Sequence, residues 1–407
     1  MQHCDNPNLQ SLDAALQVML ANIHPLKDQE VITVLDADQR VLSEDVLCPM
    51  DVPPATNSAM DGFALRYADT TDTRTFEHVG QSLAGHPYNT PLLPGQCVTI
   101  TTGALLPEGA DTVVMVENAS LSGTTLRCTE AIQPGQHVRP QGDDLQKGQR
   151  ILAKGRRLNP ADLAMLASLG LATVSVYRKP RVTVLATGDE LVAPGSPLAP
   201  GQIYESNRSA LIPLLNRAGV DVIDGGIIGD DATALRNALQ SAMSDSDVVI
   251  SCGGVSVGQA DLVKEMVREL GELYVWKLAI KPGKPFAFGK LGNAWFCGLP
   301  GNPVSSYVTF EQLVLPVLNT LAGQSQWPPL NWTARLVTPI NRRAGRQEFV
   351  RARLHNDEQG NLCATPLPKQ GSGIMHSIAN ANCYIVIDAD VTHVEAGSQV
   401  NIQPFSR

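Results

Sequence analysis

The run Ser251-Cys252-Gly253-Gly254-Val255-Ser256-Val257-Gly258, with Lys281-Pro282-Gly283-Lys284-Pro285 and Gly298-Leu299-Pro300-Gly301-Asn302-Pro303 behind it, decides how this chain is read. Two of these loops follow apolar, strand-like stretches, and the third caps a helix. Glycine lets the backbone approach a ligand closely and turn its N–H groups toward it. Between Leu273 and Phe310 stand four lysines, Lys277, Lys281, Lys284 and Lys290, and no Asp or Glu. The chain as a whole carries a net charge of −9. A local cationic stretch against that background points to an anion, phosphate-like, held on glycine loops at one edge of a sheet.

Working outward, strands and helices alternate from Arg181 onward. Strand-like runs at 182–186, 220–228 and 247–251 alternate with helical patterns at 206–218, 232–243 and 261–270. Further strand-like runs cover 274–280, 286–289 and 294–297, and a long helix is expected over 304–321. This alternation predicts βαβ units and a mostly parallel, doubly wound sheet with helices on both faces. Ligands of such sheets bind beyond the carboxyl ends of the strands, where turns 187–190, 229–231 and 252–258 would lie.

The flanks read differently. Leu9, Leu12, Leu16, Met19, Leu20 and Ile23 fall on one helical face, and Pro25 ends that helix. Residues 46–150 are rich in Gly, Pro, Thr and Val, with short strand-like runs, as in a small β-rich domain. A second helix starts at Asn159-Pro160, a capping residue followed by a favoured first position, and stops at Gly170. Residues 324–330, with Pro328-Pro329, read as a linker. Beyond it, 331–407 show β-like runs and no strong helix, so a small β-domain is expected.

A chain of 407 residues exceeds one core and suggests about two to four domains. Its acidic balance argues against a dedicated nucleic-acid binder. The eight cysteines form no C-x-x-C pair and read as reduced thiols of a cytoplasmic protein. No window approaches a membrane span, and no secretory leader is legible.

The acids cluster in turns: Asp189, Glu190, Asp230, Asp231 and Asp261. Carboxylates at strand ends beside an anion site suit a Mg²⁺–phosphate centre. Helix capping is the alternative, and Asp231 and Asp261 both stand at helix starts. Gly253, Gly254 and Gly258 make either an anion cradle or only a tight turn. Lys281 and Lys284 lie on a proline-stiffened loop, which lowers the entropy cost of presenting charge. Gly254-Val255-Ser256-Val257-Gly258 also matches the serine-hydrolase pattern G-x-S-x-G. Against it, no histidine lies between His137 and His355, and the loop is longer than a nucleophile elbow. Walker A, G-x-G-x-x-G and H-E-x-x-H motifs are absent from the sequence. Residues 57–62, 101–104 and 142–144 are polar turns. Six arginines from Arg335 to Arg353 face one acid, Glu348, and with Gln370-Gly371-Ser372-Gly373 they suggest a second anion contact.

Taken together, Asn57-Ser58-Ala59-Met60-Asp61-Gly62, residues 102–109 (TGALLPEG), 187–191 (TGDEL), Gly253–Gly258 with Asp261, Lys281–Pro285 and Gly298–Pro303 resemble the molybdopterin molybdenumtransferase family, the MoeA proteins and the E domain of gephyrin. The resemblance implies a homodimer of four-domain chains. Residues 1–45 and 140–178 would form an elongated domain I, and 46–139 a β-rich inserted domain II. Residues 179–327 would be the α/β molybdopterin-binding domain III, and 328–407 a C-terminal β-barrel, domain IV. It implies insertion of molybdenum from molybdate into adenylylated molybdopterin, with release of AMP and help from Mg²⁺. Asp261, Glu190, Asp61, Thr102 and Lys281 match catalytic positions. Gly253, Gly254, Ser256, Lys277, Lys284, Pro300, Pro303, Asp144, Arg351 and Ser372 match substrate-binding ones, and Glu190, Asp230 and Asp261 the metal set. Lys281, Lys284, Arg351, Ser372 and Ser256 would meet molybdate. Asp61, Thr102 and Asp144 match residues that reach the partner subunit's cleft. A molybdopterin adenylyltransferase is the implied partner; nucleic acid and membrane are not.

Two departures stand out. Cys252 occupies a usual serine position, as inert packing or as an oxidation-sensitive thiol, and Asp143 replaces a usual glutamate. A non-catalytic pterin-binding scaffold of the same fold is the competing reading. The related adenylyltransferase module is about one domain long, shorter than this chain.

Overall fold

The computed structural model describes residues 9–71, 74–254, 262–325 and 332–405. The chain divides into two compact units. One holds the residues up to Ser43, Gly155–Leu163 and everything from Thr173; the other holds Glu44–Lys154 and Ala164–Ala172.

The first unit opens with α1 (Leu12–Ala21), capped by Ser11, whose hydroxyl accepts from the Ala14 N–H at 3.2 Å. Its Leu12, Ala15 and Met19 enter the main core, as their spacing predicts. The sheet is built from β1 (Arg181–Thr187), β2 (Asp221–Ile228), β3 (Val248–Cys252), β4 (Gly271–Trp276), β6 (Ala287–Leu291) and β7 (Ala294–Leu299), in the order β2-β1-β3-β7-β6-β4. The first four in that order are mutually parallel; at one edge β6 runs antiparallel to β7, and β4 antiparallel to β6.

Helices cover both faces because neighbouring strand residues feed opposite cores. Val184 and Ile250 pack with α2 (Asn207–Arg217), whereas Leu185 and Val249 pack with α3 (Ala232–Asp245) and α4 (Leu262–Leu270).

Residues 274–280 do not form one strand. The chain leaves the sheet at Lys277, which takes φ +76°, and re-enters β structure as β5 (Ile280–Lys281). That short strand pairs in parallel with the barrel strand β9 (Gln347–Asn356).

The expected long helix is three consecutive pieces: α5 (Pro303–Thr309), a π turn (Phe310–Val314) and α6 (Leu315–Leu321). Pro316 has no N–H and its ring crowds the preceding turn, so a wider turn ahead of it relieves the conflict.

The barrel comprises β8 (Trp332–Leu336), β9 (Gln347–Asn356), β10 (Leu362–Pro366), β11 (Cys383–Ile387) and β12 (Gln399–Pro404). Pairings run β9-β10-β8-β12-β11 and back to β9, which closes the sheet. Leu336, Val350, Ala352, Ile385 and Ile402 fill its interior. As expected there is no strong helix here among the described residues; α7 (Met375–Asn380) is one short helix between β10 and β11. Of the expected linker 324–330, only Gln324 and Ser325 lie within the described residues.

The second unit is β-rich. Its six-stranded sheet runs Thr112–Met115, Gly62–Leu65, Gln96–Ile100, Thr75–Ser82, Thr125–Cys128, Ala119–Ser122, with apolar clusters on both faces. The helix Pro160–Ser168 starts on a reciprocal cap. Asn159 Oδ1 accepts from the Asp162 N–H at 3.2 Å, and Asp162 Oδ2 accepts from the Asn159 N–H at 3.1 Å. Among the described residues no helix is long and apolar enough to cross a membrane.

Candidate functional site

Parallel strands end together, so the turns after β1, β3 and β7 meet at one edge of the sheet. The Gly253 N–H donates to the Leu299 carbonyl at 3.1 Å, tying the turn after β3 to that after β7. Gly253 has φ +97°, and a methyl there would lie 2.6 Å from the Thr187 carbonyl oxygen. Gly254 has φ +66°, and a methyl there would collide with Val263 of α4. Only glycine fits either position. Gly301 stands against Gly253, with 3.8 Å from its would-be Cβ to the Gly253 Cα. The sequence-predicted Gly253, Gly254, Pro300 and Pro303 are thus one constellation. Ser256 and Asp261, with the rest of 255–261, lie outside the described residues.

This edge carries buried polar atoms with no hydrogen-bond partner among the described residues: Thr187 Oγ1, Ser251 Oγ and Asn207 Oδ1. The other side of Asn207 is fixed, its Nδ2 donating to the Gly301 carbonyl at 2.9 Å. An unpaired buried polar atom costs on the order of 1–3 kcal/mol, so such atoms at a strand-end cradle mark a place completed by something bound. Sequence reading named none of these three as a site residue, although Ser251 opens the glycine run and Thr187 the TGDEL run; the only signal for Asn207 was its place at a helix start.

The barrel reaches the same edge. The Val304 N–H, in the first turn of α5, donates to the Ser372 carbonyl at 3.0 Å. The loop around Ser372 is propped from beneath by Arg351, which is 1% exposed. Arg351 Nε donates to Ser377 Oγ at 3.2 Å, Nη1 to the Phe349 carbonyl at 3.2 Å and Nη2 to the Gly371 carbonyl at 3.4 Å. Gln370 adds bonds to the Arg351 backbone in both directions. Burial pulls the Arg351 pKa down. Its fork is thus engaged with protein acceptors, a narrower role than the free anion contact expected from sequence.

Lys281 is also engaged. Its Nζ forms an ion pair with Glu348 at 2.9 Å, and Glu348 meets Arg342 Nε at 2.9 Å on its other oxygen. Lys277 and Lys284 bracket the cationic loop. The Lys277 N–H donates to the Phe286 carbonyl at 3.2 Å, and the Leu278 N–H to the Lys284 carbonyl at 2.8 Å.

On the acidic side, Asp189 Oδ1 accepts from the Asp230 N–H at 2.9 Å, joining the turns after β1 and β2. The Glu190 carboxylate folds over Gly188. Asp231 caps α3, accepting from the Ala234 N–H at 2.7 Å, which settles the capping alternative for that residue. Among the described residues no three His, Cys, Asp or Glu side chains are grouped to hold a metal ion. Glu190 and Asp230 stand at the ends of adjacent strands, and their oxygens are the hard donors Mg²⁺ prefers. The third expected ligand, Asp261, is outside the described residues.

Cys252 is buried, and burial pushes its thiol up to about 12, so the inert-packing reading holds. In the second unit, Thr102 donates to Asp61 Oδ1 twice, from its N–H at 2.6 Å and its hydroxyl at 2.9 Å. Those bonds hold the Asp61 carboxyl below its usual pKa. Asp144 is exposed, with its N–H bound to the Val52 carbonyl at 2.9 Å.

A parallel sheet that ends in glycine loops and unpaired polar atoms, beside a closed five-stranded barrel, defines a multidomain α/β ligand-binding protein. Residues 10–170 match the family described as MoeA N-terminal region (domain I and II), 183–320 the probable molybdopterin binding domain, and 333–405 the MoeA C-terminal region (domain IV). The molybdopterin molybdenumtransferase of Haemophilus influenzae is 42% identical over 97% of this chain and 98% of its own length. That of Bacillus subtilis is 34% identical, over 92% and 89%. The solved molybdopterin biosynthesis moeA protein of Pyrococcus horikoshii superposes with a TM-score of 0.86 at 29% identity, covering 98% of this chain and 100% of its own. The chain belongs to the MoeA family of molybdopterin molybdenumtransferases, enzymes of molybdenum cofactor biosynthesis.

Proposed function

We propose that this protein takes molybdenum from molybdate, inserts it into the dithiolene of adenylylated molybdopterin and releases AMP. The observation that carries this reading is the cradle of Gly253, Gly254 and Gly301, with unpaired Thr187 Oγ1, Ser251 Oγ and Asn207 Oδ1 around it. The positive-φ turn at Gly253 and Gly254 bares the backbone at the carboxyl end of a parallel strand, which suits a phosphate or pyrophosphate. Lys277, Lys281, Lys284, Ser256 and Ser372 would hold molybdate and substrate phosphates, with Arg351 shaping the Ser372 loop.

Glu190, Asp230 and Asp261 would bind Mg²⁺, which would neutralise charge on the pyrophosphate. Asp61, Thr102 and Asp144 would complete the cleft of the partner subunit in a homodimer, and the Thr102 bonds keep Asp61 ionised and oriented for that task. The four-domain division at 46, 140, 179 and 328, a cytoplasmic location and substrate delivery from a molybdopterin adenylyltransferase belong to the same reading.

The test is AMP release from adenylylated molybdopterin with Mg²⁺, with and without molybdate. Molybdate-dependent release, with a product that activates a molybdenum-free molybdoenzyme, supports the transferase. Binding without release under either condition would replace it with a pterin-binding scaffold.

A further inference from the structure

Glu348 is the one acid among the arginines of the β8–β9 region, and it is 5% exposed. Its ion-pair partners are two cations. Lys281 of β5 stands at 2.9 Å and Arg342, 3% exposed at its side chain, also at 2.9 Å. The Lys281 contact is built into the backbone: β5 and β9 pair in parallel with Ile280 opposite Gln347 and Lys281 opposite Glu348. The Gln347 N–H donates to the Ala279 carbonyl at 2.8 Å and locks that register. Parallel partners in register project to the same face, so the carboxylate meets the ammonium without a search.

Arg342 already stands at ion-pair distance from Glu348 Oε2, so the buried carboxylate has a counter-charge besides Lys281. Arg342 in turn is held by carbonyls of Asp388 (2.6 Å), Val391 (2.8 Å) and Arg346. Lys281, by contrast, is 45% exposed at its side chain and has a flexible four-carbon stem. Fixing such a stem costs rotamer entropy, which a built-in contact offsets. Two cations paired with one carboxylate leave net positive charge on the side of the exposed Lys281, where an anion such as molybdate can be met.

We propose that Glu348 is a positioning residue for the oxyanion step. It holds the Lys281 ammonium by one contact and leaves the remaining N–H donors for a tetrahedral dianion. The inference rests on the proposed use of molybdate at this site. It makes the barrel a supplier of order to a lysine of the α/β domain.

The experiment is a double-mutant cycle on the full-length enzyme: wild type, E348Q, K281M and the double variant. It reads the molybdate concentration for half-maximal AMP release, the maximal rate and the melting temperature. E348Q is expected to raise the half-maximal concentration about tenfold with the maximal rate kept within about twofold, and to add less than about twofold in the K281M background. Glu348→Asp keeps a carboxylate for buried Arg342 but draws it back from Lys281, so it should show the same rise with a near-normal melting temperature.

An E348Q effect of equal size in both backgrounds would show a merely structural role and overturn the proposal. Tighter molybdate use in E348Q, the result of simple charge removal, would overturn it too. If wild type shows no molybdate dependence, the proposed reaction itself fails. A wild-type dependence left unchanged in E348Q and E348D sinks only the positioning role.

Discussion

The Val304 N–H at the start of α5 donates to the carbonyl of Ser372 at 3.0 Å. Through that bond, the turn carrying Gly301, Asn302 and Pro303 and the barrel loop propped by Arg351 share one edge. The glycine cradle and the barrel loop therefore form one surface, and a change at either is expected to reach the other.

The cradle tolerates no side chain at Gly253. A methyl there would sit 2.6 Å from a backbone oxygen at φ +97°. Gly253→Ala is expected to cost about 1–3 kcal/mol of stability and to cut turnover at least about tenfold. Thermal melts and AMP-release assays on the same preparation would check this. A variant with native melting temperature and rate would mean the turn has room the geometry denies.

Glu311 predicts a pH dependence of stability. Burial raises its carboxyl from the usual 4.5 to about 7, even though the Tyr384 hydroxyl donates to it at 2.7 Å. Between those values the folded chain binds a proton that the unfolded chain has released. Stability from this group is full below about 4.5, falls as pH rises through the window and is flat above about 7. Glu311→Gln keeps an acceptor for Tyr384 and should remove the penalty, stabilising the protein by about 2–3 kcal/mol at pH 8 and little at pH 4.5. Melting curves of both proteins across that range decide it; parallel pH profiles would refute the assignment.

The described cysteines, Cys48, Cys97, Cys128, Cys252, Cys297, Cys363 and Cys383, are all free and buried. Burial pushes Cys97, Cys252, Cys297 and Cys383 up to about 12. A Cys4→Ser protein should therefore leave its thiols unlabelled by an alkylating reagent at pH 8 until denatured. Rapid labelling of Cys252 by peptide mapping would return it to the oxidation-sensitive class.

Asp261→Ala and Asp61→Asn separate chemistry from folding. Each should leave the melting temperature within a few degrees of wild type. Molybdate-stimulated AMP release should fall by about a hundredfold or more if the carboxylates act on substrate or metal. Thr102→Ala removes one of the two bonds to Asp61 and keeps the backbone one, so its effect should be smaller than that of Asp61→Asn. Near-normal turnover in Asp261→Ala would remove it from the catalytic set.

Much of the site could be seen in the chain before any fold was known. Gly253, Gly254 and the Gly298–Pro303 loop announce themselves because a positive φ or a close backbone approach admits few other residues. The alternation of elements from Arg181 placed those loops at the carboxyl ends of a parallel sheet. The break of 274–280 at Lys277 was not legible, since a non-glycine residue at positive φ leaves no compositional mark. The π turn before Pro316 was equally hidden, because a helical pattern with proline reads the same whether the turn is widened or the helix ends.

The sequence by itself determined the order of elements, the glycine turns, the caps at Ser11, Asn159 and Asp231, and the family, because each depends on residues close together in the chain. Only the tertiary structure decided that Lys281 is held by Glu348, that Arg351 props a loop from the outer face of β9, and that Asn207, Thr187 and Ser251 meet at one edge with atoms unpaired among the described residues. These partners are dozens of residues apart. Charge and burial become properties of a site only once strand register brings such residues within about 3 Å of one another.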